Sequence, residues 1–296
     1  MLFTIVIPVY NSASYIARTL ESIERASTES NYEVLLIDDC SNDLDDLRSV
    51  IIDFKNVELI LKEEKSNAAV SRNIGFLKSQ SRFVFFLDSD DHFISHAIDD
   101  RIRTHKSCEA GIIFSNFITD NGREELRSEL PDYRNEDIRD YILIQNGDVR
   151  SSVISIDKDY HKGTLFDNES QKHQDWIFAF KCWDNKEKIV FDSNYGAVIN
   201  VDRTTRMSAS LNPKASYYFY ENYLTDINHV NKFCENNWKQ MIYGKDYAAS
   251  RFFLSVYQPR NKSEFVNYLF YRFLANKYVL PFSSVAANRV RSKLAN

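Results

Sequence analysis

The densest group of chemically reactive side chains follows a strongly apolar run and contains three carboxylates within four residues. Residues 83–87 are all apolar, and Asp88, Ser89, Asp90 and Asp91 come directly after them. Strands this apolar are typical of a parallel sheet covered on both faces, and open α/β sheets bind ligands outside the carboxyl ends of their strands. Asp88 and Asp90 could therefore hold one hard divalent cation, Mg²⁺ or Mn²⁺, that keeps open positions for phosphate oxygens. The alternative is that these aspartates only end the strand and cap the next helix.

Other polar residues follow neighbouring strands at the same predicted edge of the sheet. Asn11 comes after the first strand, and Asp38 and Asp39 come after the second. Right-handed crossovers between parallel strands would bring all of them to one rim. There Asp39 could accept a hydrogen bond from a base or ribose, Tyr10 could stack on a base, and Arg72 could bind a diphosphate through its planar guanidinium. Each also has a structural interpretation, as a helix cap, a residue at the edge of the core, or a surface ion-pair partner.

The elements that would position these residues alternate between strand and helix. Apolar runs predict strands at residues 3–9, 34–37, 57–61, 83–87, 112–114, 153–156, 189–191 and 195–201. Helical spacing of apolar residues predicts helices near 16–23, 44–54, 67–79, 138–144 and 175–183, the first of them capped by Ser12 or Ser14. Such alternation predicts a parallel sheet with right-handed crossovers and helices on both faces.

Composition limits how a nucleotide could be bound and where the protein works. The chain has 296 residues, 44% of them hydrophobic, and its seven glycines form no phosphate-binding spacing. A bound nucleotide would therefore be held by a metal ion, arginine and other side chains. Four widely spaced cysteines indicate neither a zinc site nor a disulfide framework. No signal peptide or apolar run of spanning length is present, so we expect a cytoplasmic protein.

The last part of the chain is basic and aromatic, whereas the body is acidic. Residues 1–210 carry 25 Lys and Arg against 37 Asp and Glu, and residues 211–296 carry 12 against 5. Basic and aromatic residues alternate there in helix-like stretches, as they do in helices that lie on a membrane surface. A packed helical subdomain with a solvated basic face is the interpretation we favour. No nucleic-acid partner is expected, because the body is acidic and no recognition module is present.

Six short motifs occur in an order that resembles a known family. They are residues 5–11 (Ile-Val-Ile-Pro-Val-Tyr-Asn), 37–43 (Ile-Asp-Asp-Cys-Ser-Asn-Asp), 71–75 (Ser-Arg-Asn-Ile-Gly), 87–91 (Leu-Asp-Ser-Asp-Asp), 163–167 (Gly-Thr-Leu-Phe-Asp) and 174–176 (Gln-Asp-Trp). The set resembles the family 2 glycosyltransferases with the GT-A fold over roughly residues 3–208. The resemblance divides the chain into a GT-A domain, residues 1–210, and a helical, basic, aromatic-rich C-terminal subdomain, residues 211–296.

The resemblance implies an α/β fold of the GT-A type, with a Rossmann-like, mostly parallel sheet, helices on both faces and a helical C-terminal region. It implies transfer of a hexosyl or N-acetylhexosaminyl group, with inversion, from a nucleotide-diphosphate donor, for which UDP is favoured. The acceptor would be a hydroxyl of a glycan or a lipid-linked glycan in polysaccharide biosynthesis. The enzyme would then work in the cytoplasm, with the option of peripheral contact with the inner face of the membrane through its C-terminal region.

The resemblance also implies a role for each matching residue. Asp175 would be the general base, and Asp90, with Asp88, would bind Mn²⁺ or Mg²⁺. The donor would be contacted by Pro8, Tyr10, Asn11, Asp39, Arg72, Asp88, Ser89 and Arg203.

Two departures from the family pattern leave alternatives open. Gln174 stands where the family commonly has Glu, which motivates a second hypothesis of a catalytically degenerate protein that binds a nucleotide sugar without transferring it. Asn67 stands where the family has glycine, and Asn is one of the few other residues that tolerates positive φ. Asp175 could also be a plain N-cap of its helix. A sugar-1-phosphate nucleotidyltransferase is disfavoured, since it would need a glycine-rich loop after the first strand.

Overall fold

The computed structural model of the chain describes residues 2–201, 212–243 and 246–276. It divides into two compact units, Met1–Thr204 and Thr205–Asn296. Arg203, which the sequence places among the donor contacts, lies outside the described residues.

The first unit alternates strands and helices along most of its length. Its strands are β1 (Phe3–Val9), β2 (Tyr32–Asp38), β3 (Val57–Leu61), β4 (Phe83–Phe86), β5 (His92–Phe93), β6 (Ile112–Asp120), β7 (Glu125–Arg127), β8 (Ser155–Asp157) and β9 (Ile189–Asn200). Its helices are α1 (Ile16–Ala26), α2 (Leu44–Ile51), α3 (Ala68–Lys78), α4 (Ala97–Cys108) and α5 (Gln174–Asp184). A π-helical turn covers Asp140–Ile144, and a 3-10 turn covers Ser151–Val153.

The strands described between residues 2 and 201 form one mixed sheet with the order β3-β2-β1-β4-β8-β6-β9-β5, and β7 pairs with β6. The first four strands in that order are all parallel. β8 pairs antiparallel with β4 and β6, β9 runs parallel to β6, and β5 pairs antiparallel with β9. The α/β fold class is therefore confirmed, with the antiparallel pairs confined to the half of the sheet beyond β4.

Strand register brings the ends of the central strands close together. Val9, the last residue of β1, pairs with Asp38 of β2, and Val6 pairs with Phe86, the last residue of β4. Because these strands are parallel, the loops after β1, β2 and β4 leave the sheet at the same edge. The rim predicted from the sequence therefore exists.

Both faces of β1 are covered by helices, as its apolar sequence predicts. On one face Ile5 and Ile7 join a buried cluster that includes Ile16 and Leu20 of α1. On the other face α3 packs so closely that a Cβ on Gly75 would lie 2.3 Å from a methyl carbon of Val6. A larger residue there would push α3 away from the sheet, and with it the motif arginine one turn earlier.

Two predicted details of the helices and strands are wrong. Neither Ser12 nor Ser14 caps α1 through its side chain, because the N-cap is Tyr15 and makes no side-chain cap bond. The Ser12 carbonyl instead accepts a hydrogen bond from the backbone N–H of Ile16. The two strands predicted at 189–191 and 195–201 are one strand, β9, whose pairing with β6 shifts register between Ser115 and Phe117.

The second unit contains four helices in its described residues, so the predicted helical C-terminal region is confirmed. They are α6 (Pro213–Tyr223), α7 (Ile227–Tyr243), α8 (Tyr247–Val256) and α9 (Lys262–Leu274). Phe219, Phe233, Trp238 and Phe253 are fully buried and form its aromatic core. In the part of the chain that is described, no helix combines the length and apolar character needed to cross a membrane.

Candidate active site

Hydrogen bonds between neighbouring loops hold the first two strand tips of the rim together. The backbone N–H of Asn11 donates to Ser41 Oγ over 2.9 Å, and the N–H of Asn42 donates to Asn11 Oδ1 over 2.8 Å. Asn11 adopts a left-handed backbone with φ of 51°, a conformation that Asn tolerates better than most residues. The side chain of Asn11 is therefore already used to join the loops after β1 and β2.

Tyr10 lies at the surface beside this loop pair, whereas Pro8 lies within β1. The Tyr10 side chain is 40% exposed, and the ammonium of Lys65 lies 3.5 Å from the centre of its ring. Pro8 pairs with Ile37 in the β1–β2 ladder. Tyr10 is thus an accessible aromatic ring at the rim, as base stacking would require, and Pro8 shapes the strand that presents it.

Asp39 is buried at the tip of β2 and is paired with a lysine. Lys62 Nζ lies 2.6 Å from Asp39 Oδ1, and the same oxygen accepts the backbone N–H of Ser66 over 2.7 Å. Beneath it, Asp38 Oδ2 accepts the N–H of Ser41, and Asp38 Oδ1 is buried without a hydrogen-bond partner. The Asp39 carboxylate therefore lies at the rim with the ammonium of Lys62 in direct contact.

Arg72 connects the tip of β4 with the start of α5. One terminal nitrogen of its buried guanidinium lies 2.5 Å from Asp88 Oδ1, and the other donates to Gln174 Oε1 over 2.9 Å. Gln174 Nε2 in turn donates to the carbonyl of Ser170 over 2.7 Å. The family's Glu is replaced here by a neutral side chain that still accepts from the arginine, while Asp88 supplies the negative charge.

The acidic residues after β4 have different environments. Asp91 is buried, its Oδ2 accepts from the Ser152 hydroxyl over 2.5 Å, and its Oδ1 accepts the backbone N–H of Asn200. Burial raises the pKa of Asp91 well above its ordinary value, and the charges of Asp88 and Asp90 raise it further. Asp91 therefore supports the structure, whereas Asp88 and Asp90 remain partly accessible.

Ser89 is held between the tip of β4 and α1. Its hydroxyl lies 3.0 Å from Ser12 Oγ, and its carbonyl accepts from the Thr19 hydroxyl over 2.8 Å. Ser12 Oγ also accepts the backbone N–H of Tyr10 over 3.2 Å. The side chain predicted to contact the donor thus belongs to a hydroxyl network that fixes the loops after β1 and β4 to each other.

The predicted metal ligands suit a cation that is shared with a substrate. Among the described residues no group of three His, Cys, Asp or Glu side chains could hold a metal ion by itself. Mg²⁺, however, is commonly held by one or two carboxylates together with substrate phosphates and water. Asp88, whose side chain is 42% exposed, and Asp90 provide carboxylate oxygens of that kind at the rim.

Asp175 lies in the first turn of α5 but does not cap it. The N-cap is His173, with φ of 60°, and α5 begins at Gln174, so the N-cap interpretation of Asp175 is wrong. Burial raises the pKa of Asp175 to about 6, and the neighbouring charges act on it in both directions. Arg150 and Arg72 lower that pKa, whereas Asp148 and Asp88 raise it. These influences place Asp175 in the same electrostatic environment as Arg72 and Asp88.

Arg150 and Asp148 are charged residues of the candidate site that no sequence motif predicts. Arg150 Nε donates to Asp148 Oδ2 over 2.7 Å, and Trp176 Nε1 donates to Asp148 Oδ1 over 2.9 Å. Burial lowers the pKa of Arg150, whereas the charges of Asp148 and Asp175, the hydrogen bond to Asp148 and the charge of Asp91 raise it, and the net shift is upward. The two residues lie in an irregular segment before the 3-10 turn, where no periodicity or motif marks them.

Asn67 does not have the backbone conformation that the sequence predicts for it. Its φ is −152°, so the residue is extended, and the tolerance of Asn for positive φ is not what preserves this loop. Asn67 is instead the N-cap of α3, and its side chain accepts the backbone N–H of Val70 over 3.1 Å. Its amide nitrogen donates to the carbonyl of Asn168, which ties the start of α3 to the loop before α5.

The sequence is similar to known proteins of one family. The sequence model of the family described as "Glycosyl transferase family 2" matches residues 4–161. The chain is 28% identical over 191 residues to the amylovoran biosynthesis glycosyltransferase AmsB of Erwinia amylovora, a match that covers 61% of this chain and 63% of AmsB. It is 32% identical over 117 residues to the poly(ribitol-phosphate) β-N-acetylglucosaminyltransferase TarP of Staphylococcus aureus, covering 38% of this chain and 36% of TarP.

Solved structures show the same fold. The crystal structure of residues 1–349 of S. aureus TarS in complex with UDP-GlcNAc superposes with a TM-score of 0.65 at 18% identity, covering 88% of this chain and 82% of that one. Less than two thirds of the length of AmsB and of TarP is matched, so these likenesses establish kinship rather than a shared substrate. The family model, by contrast, matches more than half of the chain and contains the strand tips described above. The chain belongs to glycosyl transferase family 2.

Proposed function

We propose that the protein transfers a sugar from a nucleotide-diphosphate donor to a hydroxyl of a glycan or lipid-linked glycan, with inversion at the anomeric carbon. The observation that carries this proposal is the bridge made by Arg72, which joins Asp88 on the predicted donor side to Gln174, the residue before Asp175. Donor side and predicted base are thereby held at one rim. A protein that only binds the nucleotide sugar would need the residues on the donor side but not the predicted base.

The donor we propose is a UDP-linked N-acetylhexosamine. Two related proteins support this choice: TarP is named an N-acetylglucosaminyltransferase, and the TarS structure is a complex with UDP-GlcNAc. In this chain Tyr10 is accessible for stacking on the base, and Asp39, held in place by Lys62, provides a carboxylate acceptor for base or ribose. Asn11 and Ser89 would shape this pocket through the loops that they hold.

Asp90, with Asp88, would hold Mg²⁺ or Mn²⁺ beside the donor's diphosphate. When bound, the ion would offset the negative charge that develops on the departing nucleoside diphosphate. Arg72 adds a buried positive charge next to Asp88 and keeps that carboxylate in place. Because protein ligands are few, we expect the metal ion and the donor to bind together.

Asp175 would act as the general base. The acceptor hydroxyl oxygen forms a bond to the anomeric carbon while the bond from that carbon to the diphosphate oxygen breaks, and Asp175 takes the hydroxyl proton. Its pKa of about 6 makes it a stronger base than an ordinary aspartate while leaving it ionised at neutral pH. Burial, which raises this pKa, thus serves the reaction.

The catalytically degenerate alternative rested on Gln174. In the structure Gln174 accepts from Arg72 and donates to Ser170, so the position has a scaffolding task that does not require a negative charge. The substitution therefore leaves the neighbouring Asp175 carboxylate available. We accordingly rank transfer above binding without transfer.

A panel of nucleotide sugars, measured by thermal stabilisation with and without Mn²⁺ or Mg²⁺, tests the donor proposal. A donor that binds the folded state at about 100 times its Kd stabilises it by about 2.7 kcal/mol, which is readily detected. We expect stabilisation by a UDP-sugar that depends on metal, followed by release of nucleoside diphosphate on incubation. Stabilisation with no release, even with glycan acceptors present, would favour the binding alternative.

The Asp90→Ala variant tests the metal proposal. We expect it to lose metal-dependent donor turnover, because the cation then lacks its main protein ligand. Asp159→Ala is a suitable control, since Asp159 is a partly exposed carboxylate that pairs with Arg82 away from the rim. Turnover in Asp90→Ala equal to that of the wild type would overturn the assignment.

A further inference from the structure

The last described helix, α9, has two faces of opposite character. One face packs on the aromatic core of its unit: Tyr271 stacks on Trp238 with ring centres 4.7 Å apart, and Tyr268 stacks on Tyr257 at 6.1 Å. These tyrosines are only partly exposed. The packed face fixes the orientation of the helix, so the opposite face is presented outward in a defined way.

The outward face of α9 is apolar. Its large side chains are Phe265 (50% exposed), Val266 (63%), Leu269 (46%), Phe270 (56%) and Phe273 (62%). Their spacing of one, three and four residues places all five on one side of a helix. Exposed apolar groups of this size mark contact surfaces on soluble domains. We name these five residues the α9 apolar face.

The charge around the α9 apolar face is net positive. Lys262 and Arg272, near the two ends of the helix, are both exposed. Glu264 is paired with Arg260 at 2.7 Å, and no acidic residue follows it in the sequence, whereas five Lys and Arg do. A surface that is apolar at its centre and basic at its margins complements the boundary between anionic headgroups and acyl chains.

We propose that the α9 apolar face docks the protein on an anionic lipid surface. Phe265, Phe270 and Phe273 enter the boundary between headgroups and acyl chains, and the basic residues contact the headgroups. The charge pattern decides between occupants, because a second copy of this chain would bring like charge against Lys262 and Arg272. The inference deepens the proposed function, since it places the enzyme where a lipid-linked acceptor would be found.

Vesicle flotation with the full chain tests the proposal without requiring sugar transfer. We expect binding to phosphatidylcholine vesicles that contain about 30 mol % phosphatidylglycerol, and much weaker binding to phosphatidylcholine alone, at roughly fivefold in affinity for each engaged basic residue. Binding should fall as salt rises from about 0.1 M to about 1 M, because the Debye length shortens from about 10 Å to about 3 Å. Absence of binding to the anionic vesicles at low salt overturns the proposal.

Two double variants distinguish vesicle binding through the α9 apolar face from non-specific binding through other exposed apolar residues. Phe270→Ser with Phe273→Ser should lower vesicle affinity by at least about tenfold, because two large apolar side chains no longer leave water. Ile52→Ser with Leu77→Ser removes apolar residues that are 81% and 67% exposed in the other unit, and should change nothing. Equal binding of both double variants overturns the proposal.

Donor binding and oligomeric state are measured on the same samples. The Phe270→Ser with Phe273→Ser variant should keep the thermal stabilisation by nucleotide sugar seen for the wild type, which shows that it is folded. If the wild-type protein binds the donor but not the vesicles, the lipid-docking proposal is wrong and the proposed function stands. If it binds the vesicles but no nucleotide sugar, the proposed function is wrong and the lipid-docking proposal stands. Sedimentation that shows a wild-type oligomer dissociated by the double variant would assign the face to a second copy and overturn the proposal.

Discussion

Aspartates lie in two different environments on the two sides of the rim that we propose to bind the donor and the acceptor. On the donor side, Asp39 and Asp88 each lie within hydrogen-bonding distance of a buried cation, Lys62 and Arg72. On the acceptor side, the carboxyl of Asp175 is governed first by burial, and its pKa is raised to about 6. A charged partner in contact favours the ionised carboxylate, whereas removal from water disfavours it.

This difference indicates that aspartates at the same edge of the sheet have different roles. A carboxylate that is fixed against a cation holds its position, which suits a group that must organise a polyanionic ligand. A carboxylate held in a crowded position with a raised pKa suits proton transfer near neutral pH. Four experiments test whether these two environments differ in this way.

The largest effect is expected from Asp175→Asn. The amide keeps the shape of the carboxylate but cannot take a proton, so transfer should fall by on the order of 10²–10⁴-fold. Donor binding, measured by thermal stabilisation, should be unchanged because the donor side is untouched. Asp53→Asn, at an exposed position outside the rim, is the control. Transfer at the wild-type rate would mean that another group accepts the proton.

Lys62→Met tests the paired environment. The side chains of Lys62 and Asp39 are 6% and 12% exposed, so removing the cation leaves a buried carboxylate uncompensated. The free energy of unfolding in urea should fall by about 3 kcal/mol. Arg48→Met removes the partner of Asp45 from an exposed pair, 53% and 98% exposed, and should have no measurable effect. Equal stability of the two variants would show that the Asp39 pair is not buried in solution.

Gln174→Met tests the connection between the two sides. The variant leaves a buried nitrogen of Arg72 and the carbonyl of Ser170 without their partners, which should cost about 1–3 kcal/mol in unfolding free energy. The turnover number should also fall, since Asp175 follows directly in α5. Gln80→Met, at an exposed position, serves as the control. If Gln174→Met lowers stability but leaves turnover intact, the bridge supports the fold without positioning the base.

The smallest effect, and the sharpest in direction, is expected in the pH profile. The proposed base is the ionised carboxylate of Asp175, so activity should rise with pH through about 6 and then level off. Arg150 lowers that pKa, so Arg150→Ala should move the rising limb to higher pH by about one unit, and Arg150→Lys should leave it nearly in place. Asp148→Asn should move it to lower pH. Shifts in the same direction for Arg150→Ala and Asp148→Asn would contradict the proposed electrostatics.

The parts of the fold that could be predicted are those that contain a short, mostly apolar run. The bounds of β1 (Phe-Thr-Ile-Val-Ile-Pro-Val) and β3 (Val-Glu-Leu-Ile-Leu) match the predicted strands for this reason. Helix α4 was missed, because two of its buried residues are polar: Arg101 donates to the carbonyl of Val153, and His105 contacts Ser155 Oγ at 2.8 Å. From the sequence alone, buried polar residues that form hydrogen bonds with distant residues cannot be distinguished from exposed polar residues.

The candidate site divides in the same way. Asp39 and Asp88 lie at one rim because strand register places the ends of β2 and β4 there, and Arg72 reaches that rim from α3, where it contacts Asp88. Asp91 belongs to the same cluster in the sequence, but its burial and its bond to Asn200 could not be foreseen without the pairing of distant segments. Arg150 was invisible for the same reason: only the folded chain brings it near Asp175.

The hydrogen bond between Arg72 and Gln174 joins residues that are 102 positions apart. It can form only after α5 has been synthesised, when β1, β2, β3 and β4 are already available. A nascent chain that has emerged only as far as β8 contains the strand tips of the rim, but its arginine still lacks the acceptor from α5. Appearance of transferase activity during synthesis should therefore lag behind formation of the parallel half of the sheet.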